Sequence, residues 1–420
     1  MTGTPAGASE VDALRISFPR LRARLDALAE IGAIDGGGSA RLALTDDDRR
    51  GRDLVVTWMR DLGLRVDIDE IGNVIGTWPP ERVEPPVLTG SHIDTVATGG
   101  RFDGTLGVLA GLEVIETVIA AGVELERPLA VAFFTDEEGS RFAPDMMGSL
   151  VFAGGLPIEE ALSTRATDGA VLGEELVRIG YAGPEPCPGR PPHAYVELHI
   201  EQGPVLEAER ITIGAVTGVQ GISWTELTIT GQSNHAGTTP MALRHDAGYA
   251  AAEVAVFARS LAAELGDAQV ATVGRIVLHP NLVNVVAARA TLTVDLRNTD
   301  DDVLAEAERR LHTFCAVLAA RELVTIESRS LARFAPVAFD EAVIARVEAV
   351  ADAQGHATKR LPSGAGHDAQ MLARVCPAGM VFVPSVRGIS HNPAELTADA
   401  DLEAGANVLL HVLLQLAGTR

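Results

Sequence analysis

The sequence predicts an α/β protein in which a discontinuous α/β domain, with a mixed and mostly parallel sheet, is interrupted by an inserted ferredoxin-like β-α-β-β-α-β domain. Two observations predict it. Short apolar strands such as VLTGS, LAVAFFTD and AYVELHI alternate with helical stretches through the first half, the pattern of strand–helix–strand crossovers. In the middle the order becomes strand, helix, two strands, helix, strand, a compact unit of its own. The expected boundaries are 1–210 and 332–420 for the interrupted domain and 211–331 for the insert. The chain of 420 residues is long enough for two or three domains.

Residues 11–31 carry helical apolar spacing, and the run DGGGSA at 35–40 reads as a flexible connector. Thr45 followed by Asp46, Asp47 and Asp48 marks a helix start. A threonine hydroxyl satisfies a free amide there, and acids suit the positive end of the helix dipole. That helix is expected to reach about Gly63. The strand VLTGS, a helix after Asp103, and the strands LAVAFFTD and AYVELHI follow, with the proline-rich PEPCPGRPP at 184–192 as a surface loop. In the insert, 211–230 alternates like strand, 245–264 is helical, 269–278 and 288–297 are strands, 301–320 is helical and 322–330 is a strand. From 338 the pattern returns to helix–strand–helix.

Composition narrows the function classes. Hydrophobic residues make up 47% and charged residues 22%, an ordinary globular mixture. The formal net charge is −23, and Lys359 is the only lysine. So acidic a surface repels phosphate backbones and anionic lipid, so neither nucleic acid nor membrane is expected as a partner. No apolar run reaches the ~20 residues of a spanning helix, and the opening MTGTPAGASEVDAL lacks the pattern of a secretory leader. Three scattered cysteines without CxxC spacing point to free thiols and a cytoplasmic location.

The chemistry-bearing residues fall at strand ends. GSHIDTVATGGRFDG (90–104) places His92, Asp94 and Asp103 on a strand end and in a glycine-rich loop. Side chains alternate along a strand, so His92 and Asp94 share a side. Asp94 is thereby placed to hold one ring nitrogen of His92 while the other faces a metal. FFTDEEGSRF brings Asp136, Glu137 and Glu138 to the end of another strand. Adjacent carboxylates repel unless something positive lies between them. A divalent metal would relieve this and leave one glutamate as general base. ELHIEQG offers His199, and GISHNPAE offers His391. Singly, each piece has an ordinary explanation: a hydrogen-bonded strand-end histidine, a solvated acidic turn, an Asn-Pro turn. Together they supply three histidines, one aspartate and one glutamate, a set suited to Zn²⁺ or Mn²⁺.

The motifs GSHIDTV, GGRFDG, FTDEEGSRF, HIEQGPVLE, GQSNHAGTTPM, DLRN, SGAGHDA and GISHNPAE run in order from about 90 to 395. The chain thereby resembles the M20 dinuclear metallohydrolases, and within them the hydantoinase/carbamoylase branch of N-carbamoyl-L-amino acid hydrolases, β-ureidopropionase and allantoate amidohydrolase. The resemblance implies two divalent metal ions per subunit, Zn²⁺ first, with Mn²⁺, Co²⁺ or Ni²⁺ also suited. His92 and His199 would bind one ion, Glu138 and His391 the other, and Asp103 would bridge them. Glu137 would be the general base and Asp94 would orient His92. His235 would polarise the scissile carbonyl. Gln202, Asn284 and Arg297 would hold the substrate carboxylate, with a backbone contact from Gly364. The peptide after Asp103 would be cis. The interrupted domain would be catalytic, and the insert a lid through which two copies dimerise, with His235 entering the partner's site.

The implied activity is hydrolysis of the ureido C–N bond of N-carbamoyl-L-amino acids to amino acid, CO₂ and ammonia. Allantoate and N-carbamoyl-β-alanine share the carboxylate and ureido group and remain alternatives. An M20 aminoacylase or peptidase is a more distant one, which HIEQG and NHAGTTPM argue against. A non-catalytic carboxylate binder is opposed by the intact Glu137 and ligand set.

Overall fold

A computed structural model describes residues 11–166, 168–266 and 268–420. Residues 1–10, which carry most of the stretch read for a leader, lie outside the described residues. The strands are β1 (Arg65–Ile68), β2 (Val74–Trp78), β3 (Val87–His92), β4 (Leu129–Phe134), β5 (Ala194–Ile200), β6 (Ile213–Val219), β7 (Gly221–Thr230), β8 (Val270–His279), β9 (Arg289–Asn298), β10 (Thr325–Phe334), β11 (Val337–Ala338), β12 (Thr358–Ser363) and β13 (Ala378–Val383). Two compact units result, Val219–Val337 and the chain on either side of it. The fold is the mixed α/β one expected, with a large mixed sheet and a separate antiparallel sheet.

The larger sheet has the order β1-β2-β4-β3-β5-β13-β6-β11, with β12 beside β6. Its centre is parallel: β3 pairs with β4 and β5, and β5 with β13. Antiparallel strands flank it at β2–β4 and β13–β6. β3, β4, β5 and β13 are buried at every position, as expected of strands covered on both faces. The helix Thr105–Ala121 is buried along almost its whole length. Thr45 caps the helix Asp46–Asp61 by accepting from Asp48 N.

The smaller sheet, β10-β7-β9-β8, is antiparallel throughout. The helices Ala247–Leu265 and Asp301–Glu322 cover one face through an apolar core that includes Leu227, Leu292, Val254 and Leu311. Asp246 and Asp300 cap these helices, each accepting from two backbone amides.

Three expectations need revision. The unit boundaries fall at 218/219 and 337/338, later than 210/211 and 331/332, because β6 pairs with β13 in the larger sheet and β10 runs on to Phe334. The 35–40 segment is packed, not a loose connector: Ser39 N donates to Gly99 O at 3.0 Å, and a Cβ on Gly38 would come 2.3 Å from Gly99 O. After 338 there are two strands, β12 and β13, instead of one. No helix among the described residues is long and apolar enough to cross a membrane.

Candidate metal centre

His92 ends β3, Asp94 lies two residues beyond, and His199 is the penultimate residue of β5. Asp136, Glu137 and Glu138 follow β4 after Thr135. Since β4, β3 and β5 are parallel neighbours, their carboxyl ends meet on one edge, where ligands of such sheets bind. Two loops complete the cluster, one carrying Asp103 and the other His391. The residues around the cavity, of ≈ 100 Å³, include His92, Asp103, Glu137, Glu138, His199, Gln202, His367 and His391.

Asp103 stands at the centre. Its Oδ1 lies 3.2 Å from His199 Nε2 and 3.7 Å from His92 Nε2, and its Oδ2 lies 3.5 Å from His391 Nε2. His391 Nε2 is 3.2 Å from Glu138 Oε2. Two donor triads therefore share one carboxylate: His92, Asp103 and His199, and Asp103, Glu138 and His391. Glu137 Oε2 lies 3.4 Å from His92 Nε2.

The two buried histidines are oriented by main chain. His92 Nδ1 is 2.9 Å from Asp94 O, and His199 Nδ1 is 2.9 Å from Ile200 O. A carbonyl only accepts, so both Nδ1 atoms carry a proton. His92 Nε2 faces the cavity, while His199 Nε2 accepts from Gly104 N at 3.1 Å beside Asp103 Oδ1, the position from which it would donate to a metal. The Asp94 carboxylate does not hold His92 as expected. It lies 3.8 Å from Nδ1 and instead accepts from Glu137 N and Glu138 N, each at 3.3 Å. The side chain shares a side with His92, but the carbonyl reaches the ring first.

The peptide after Asp103 is also not as expected, for the cis bonds among the described residues all precede proline. The chain reverses there through a tight turn at Gly104, φ 65° and ψ −49°, with Thr105 N donating to Asp103 O at 2.7 Å. That is the three-residue turn glycine takes most readily, and a Cβ at Gly104 would lie 2.4 Å from the His92 ring. Asp136, Gln202 and His391 also adopt left-handed backbone, with φ of 57°, 58° and 53°, a conformation that non-glycine residues keep at a cost and that gathers at functional sites.

The charges of the cluster favour a cation among them. Burial pushes Glu137 well above its ordinary range, and Asp368, Glu138 and Asp94 add repulsion. Glu138 is raised by burial, and Asp94 is raised to about 7 by burial and by Asp48. Burial works to raise Asp103, but the hydrogen bond and charge of His199 hold it well below the usual carboxylate range. Burial works against His199 too, yet Asp103 lifts it to about 9. His391 rises to about 9 through its bond to Glu138. Packed acids that resist ionising, around histidine nitrogens aimed inward, fit divalent cations.

Gln202 Nε2 donates to Asp103 Oδ2 at 2.8 Å, and Gln202 N to Ser385 Oγ at 3.0 Å. Gly364 is exposed in the loop leading to Ala365, Gly366 and His367, which line the cavity. In the inserted unit, His235 bridges to Val285, next to Asn284, whose carbonyl accepts from Ala236 N at 2.9 Å. His235 Nδ1 accepts from Gly237 N at 3.0 Å, which leaves the proton of the neutral ring on Nε2. Arg297, on β9, meets Asp295 at 2.8 Å and lies over the Trp224 ring.

Sequence reasoning passed over several residues. Glu197, fully buried, accepts from Ser91 Oγ at 2.6 Å, Tyr195 OH at 3.2 Å and Ala369 N at 2.9 Å. His367 packs its ring against His199, 4.5 Å between centroids, and bonds Ser363 Oγ at 2.8 Å. Burial holds its pKa well below the ordinary value. Glu395 supports the Asp103 loop. All three lie inside the quoted motifs, two residues before His199, within SGAGHDA and at the end of SHNPAE, and that adjacency was the available signal.

The family model described as peptidase family M20/M25/M40 matches residues 88–415, which include every candidate named above. The chain belongs to this family. Among its M20 relatives, the N-carbamoyl-L-amino acid amidohydrolase of Geobacillus stearothermophilus is 42% identical over 411 residues, covering 96% of this chain and 99% of that one. The N-carbamoyl-L-amino-acid amidohydrolase of Rhizobium meliloti is 40% identical over 406 residues, covering 96% and 97%. An amidase of the hydantoinase/carbamoylase family from Burkholderia multivorans, solved by crystallography, matches with a TM-score of 0.93 at 48% identity, over 96% of this M20 chain and 99% of that one.

Proposed function

We propose that this chain is a metal-dependent amidohydrolase that cleaves the ureido C–N bond of N-carbamoyl-L-amino acids, releasing amino acid, CO₂ and ammonia. The observation that carries the reading is the pair of donor triads sharing Asp103, in a chain 40–42% identical to enzymes of that name. His92, His199 and Asp103 Oδ1 would hold one divalent ion, and Glu138, His391 and Asp103 Oδ2 the other. Zn²⁺ suits the donors best, with Mn²⁺, Co²⁺ or Ni²⁺ as substitutes. Bound there, the ions would lower the pKa of a water and polarise a carbonyl oxygen.

The protein residues do the rest. Glu137, whose carboxylate is buried beside His92, takes a proton from the attacking water and returns it to the leaving nitrogen. The carbamate so formed breaks down to CO₂ and ammonia. His235 presents Nε2–H to the developing oxyanion. Gln202, Asn284 and Arg297 hold the substrate carboxylate, Arg297 through its planar fork once shared with or released from Asp295, and Gly364 adds a backbone contact.

A second copy completes the site through the inserted unit. Along β8, an edge strand, and the loop after it, Val270, Ile276, Val277, Leu282 and Val283 are exposed, an apolar edge that asks for a cover. His235 of each copy would serve the other's site. Mixing inactive His235→Ala with inactive Glu137→Gln chains should then restore partial activity; mixed dimers without activity would refute the exchange. Three free cysteines support a cytoplasmic location.

Ammonia release across a substrate panel tests the reading. N-carbamoyl-L-amino acids should be turned over in preference to allantoate, N-carbamoyl-β-alanine and N-acetyl amino acids. Preference for allantoate or the β-amino compound would move the assignment within the branch, and preference for N-acetyl substrates would replace it with an aminoacylase.

A further inference from the structure

We propose that Glu395 is a positioning residue for Asp103, tying the loop that carries Asp103 to the turn that carries His391. The inference rests on the two-ion reading above. Glu395 is 4% exposed. Its Oε1 accepts from Phe102 N at 2.9 Å and Asp103 N at 3.2 Å. The Ser390 hydroxyl lies 3.0 Å from its Oε2 and 2.8 Å from Asp103 Oδ2. With one proton, that hydroxyl donates to one carboxylate at a time.

Loop and turn are fitted to each other beyond these bonds. A Cβ on Gly100 would come 2.1 Å from the Glu395 carboxyl, so only glycine allows this approach. The turn closes on itself, Glu395 N donating to Asn392 O and Ala394 N to Asn392 Oδ1, each at 2.9 Å. His391 is held inside it at φ 53°. One carboxylate thus fixes the Asp103 main chain and, through Ser390, the oxygen that faces His391. The opposite oxygen faces His92 and His199, which sit on paired strands and are oriented by carbonyls. Loss of Glu395 therefore loosens the His391 end more than the His199 end, whose two histidines stay fixed without it.

The test is titration of the metal-free chain with Co²⁺, followed calorimetrically. The step belonging to the His391 end is the one lost in His391→Ala. Glu395→Ala should weaken that step ~10–100-fold and leave the other within ~3-fold, the range typical for groups that orient a ligand. Ser390→Ala should act in the same direction, less strongly. Glu395→Gln keeps an amide oxygen for the two N–H donors, and its NH₂ can donate to Ser390, whose proton then goes to Asp103; both steps should stay near those of the unaltered chain. Equal weakening of both steps, no weakening, or a glutamine variant as poor as the alanine one would overturn the proposal. Should Glu395→Ala fail to fold by circular dichroism, Ser390→Ala and Glu395→Gln decide it. Uptake of fewer than two ions by the unaltered chain would show the two-ion reading itself to be wrong.

Discussion

The two ends of the donor cluster are built differently. At one end His92 and His199 have side chains only 2% and 1% exposed, sit on strands paired in a sheet, and have Nδ1 fixed by carbonyls. At the other, the His391 side chain is 51% exposed, stands in a strained turn, and meets a Glu138 that follows a strand instead of ending it. The first end is fixed by the sheet before any ligand arrives. The second depends on two loops finding each other, and is where exchange of metal and entry of substrate should concentrate.

The largest expected effect would blur that contrast if the roles are misread. Glu137→Gln should lower kcat by ~10²–10⁴, as for loss of a general base, with metal content by elemental analysis unchanged. Loss of metal instead would make Glu137 a ligand and Glu138 the base. Next in size, His199→Ala and His391→Ala should both weaken Co²⁺ binding by more than the ~10–100-fold of an outer partner. His199→Ala should also lower the unfolding temperature of the metal-free chain more, because it uncovers buried Asp103. Equal thermal losses would erase the distinction between the ends.

The smallest effect is a pH dependence. In the metal-free chain His199 and His391 are raised to about 9, so their stabilising contribution is full below about 6.5 and is lost as pH rises toward 9. Asp94 and Glu395, raised to about 7, act in the same direction, since the fold resists their ionisation as pH climbs from the ordinary carboxylate range through 7. The metal-free unfolding midpoint should fall between pH 6 and pH 9 by at least ~2 °C, about 2 kcal/mol for a chain of this size, and Zn²⁺ should restore more at pH 9 than at pH 6. A midpoint that rises over this window would contradict the charge balance described.

The sequence made the strand-end donors readable because glycine-rich and acidic runs directly follow apolar strands. It also placed the inserted unit, whose helices 247–265 and 301–322 carry clear caps. β1 and β2 were missed because RVDI and VIGTW are short and not fully buried. The partners of Asp94, Glu197 and Glu395 were not legible, since they are backbone amides and hydroxyls, most of them brought in from distant segments. Periodicity tells which side a residue faces, not whether a carbonyl will reach the ring before a carboxylate does.

The position of β13 between β5 and β6 has a consequence for synthesis. The strand that fills the middle of the sheet is made late, after the whole inserted unit, so the pairing closes over a long separation in sequence, which is slow. Until residue 383 is available, the β13-facing edges of β5 and β6 stay open. A nascent or truncated chain ending before β13 would offer those edges to other chains, and its fate would depend on chaperones.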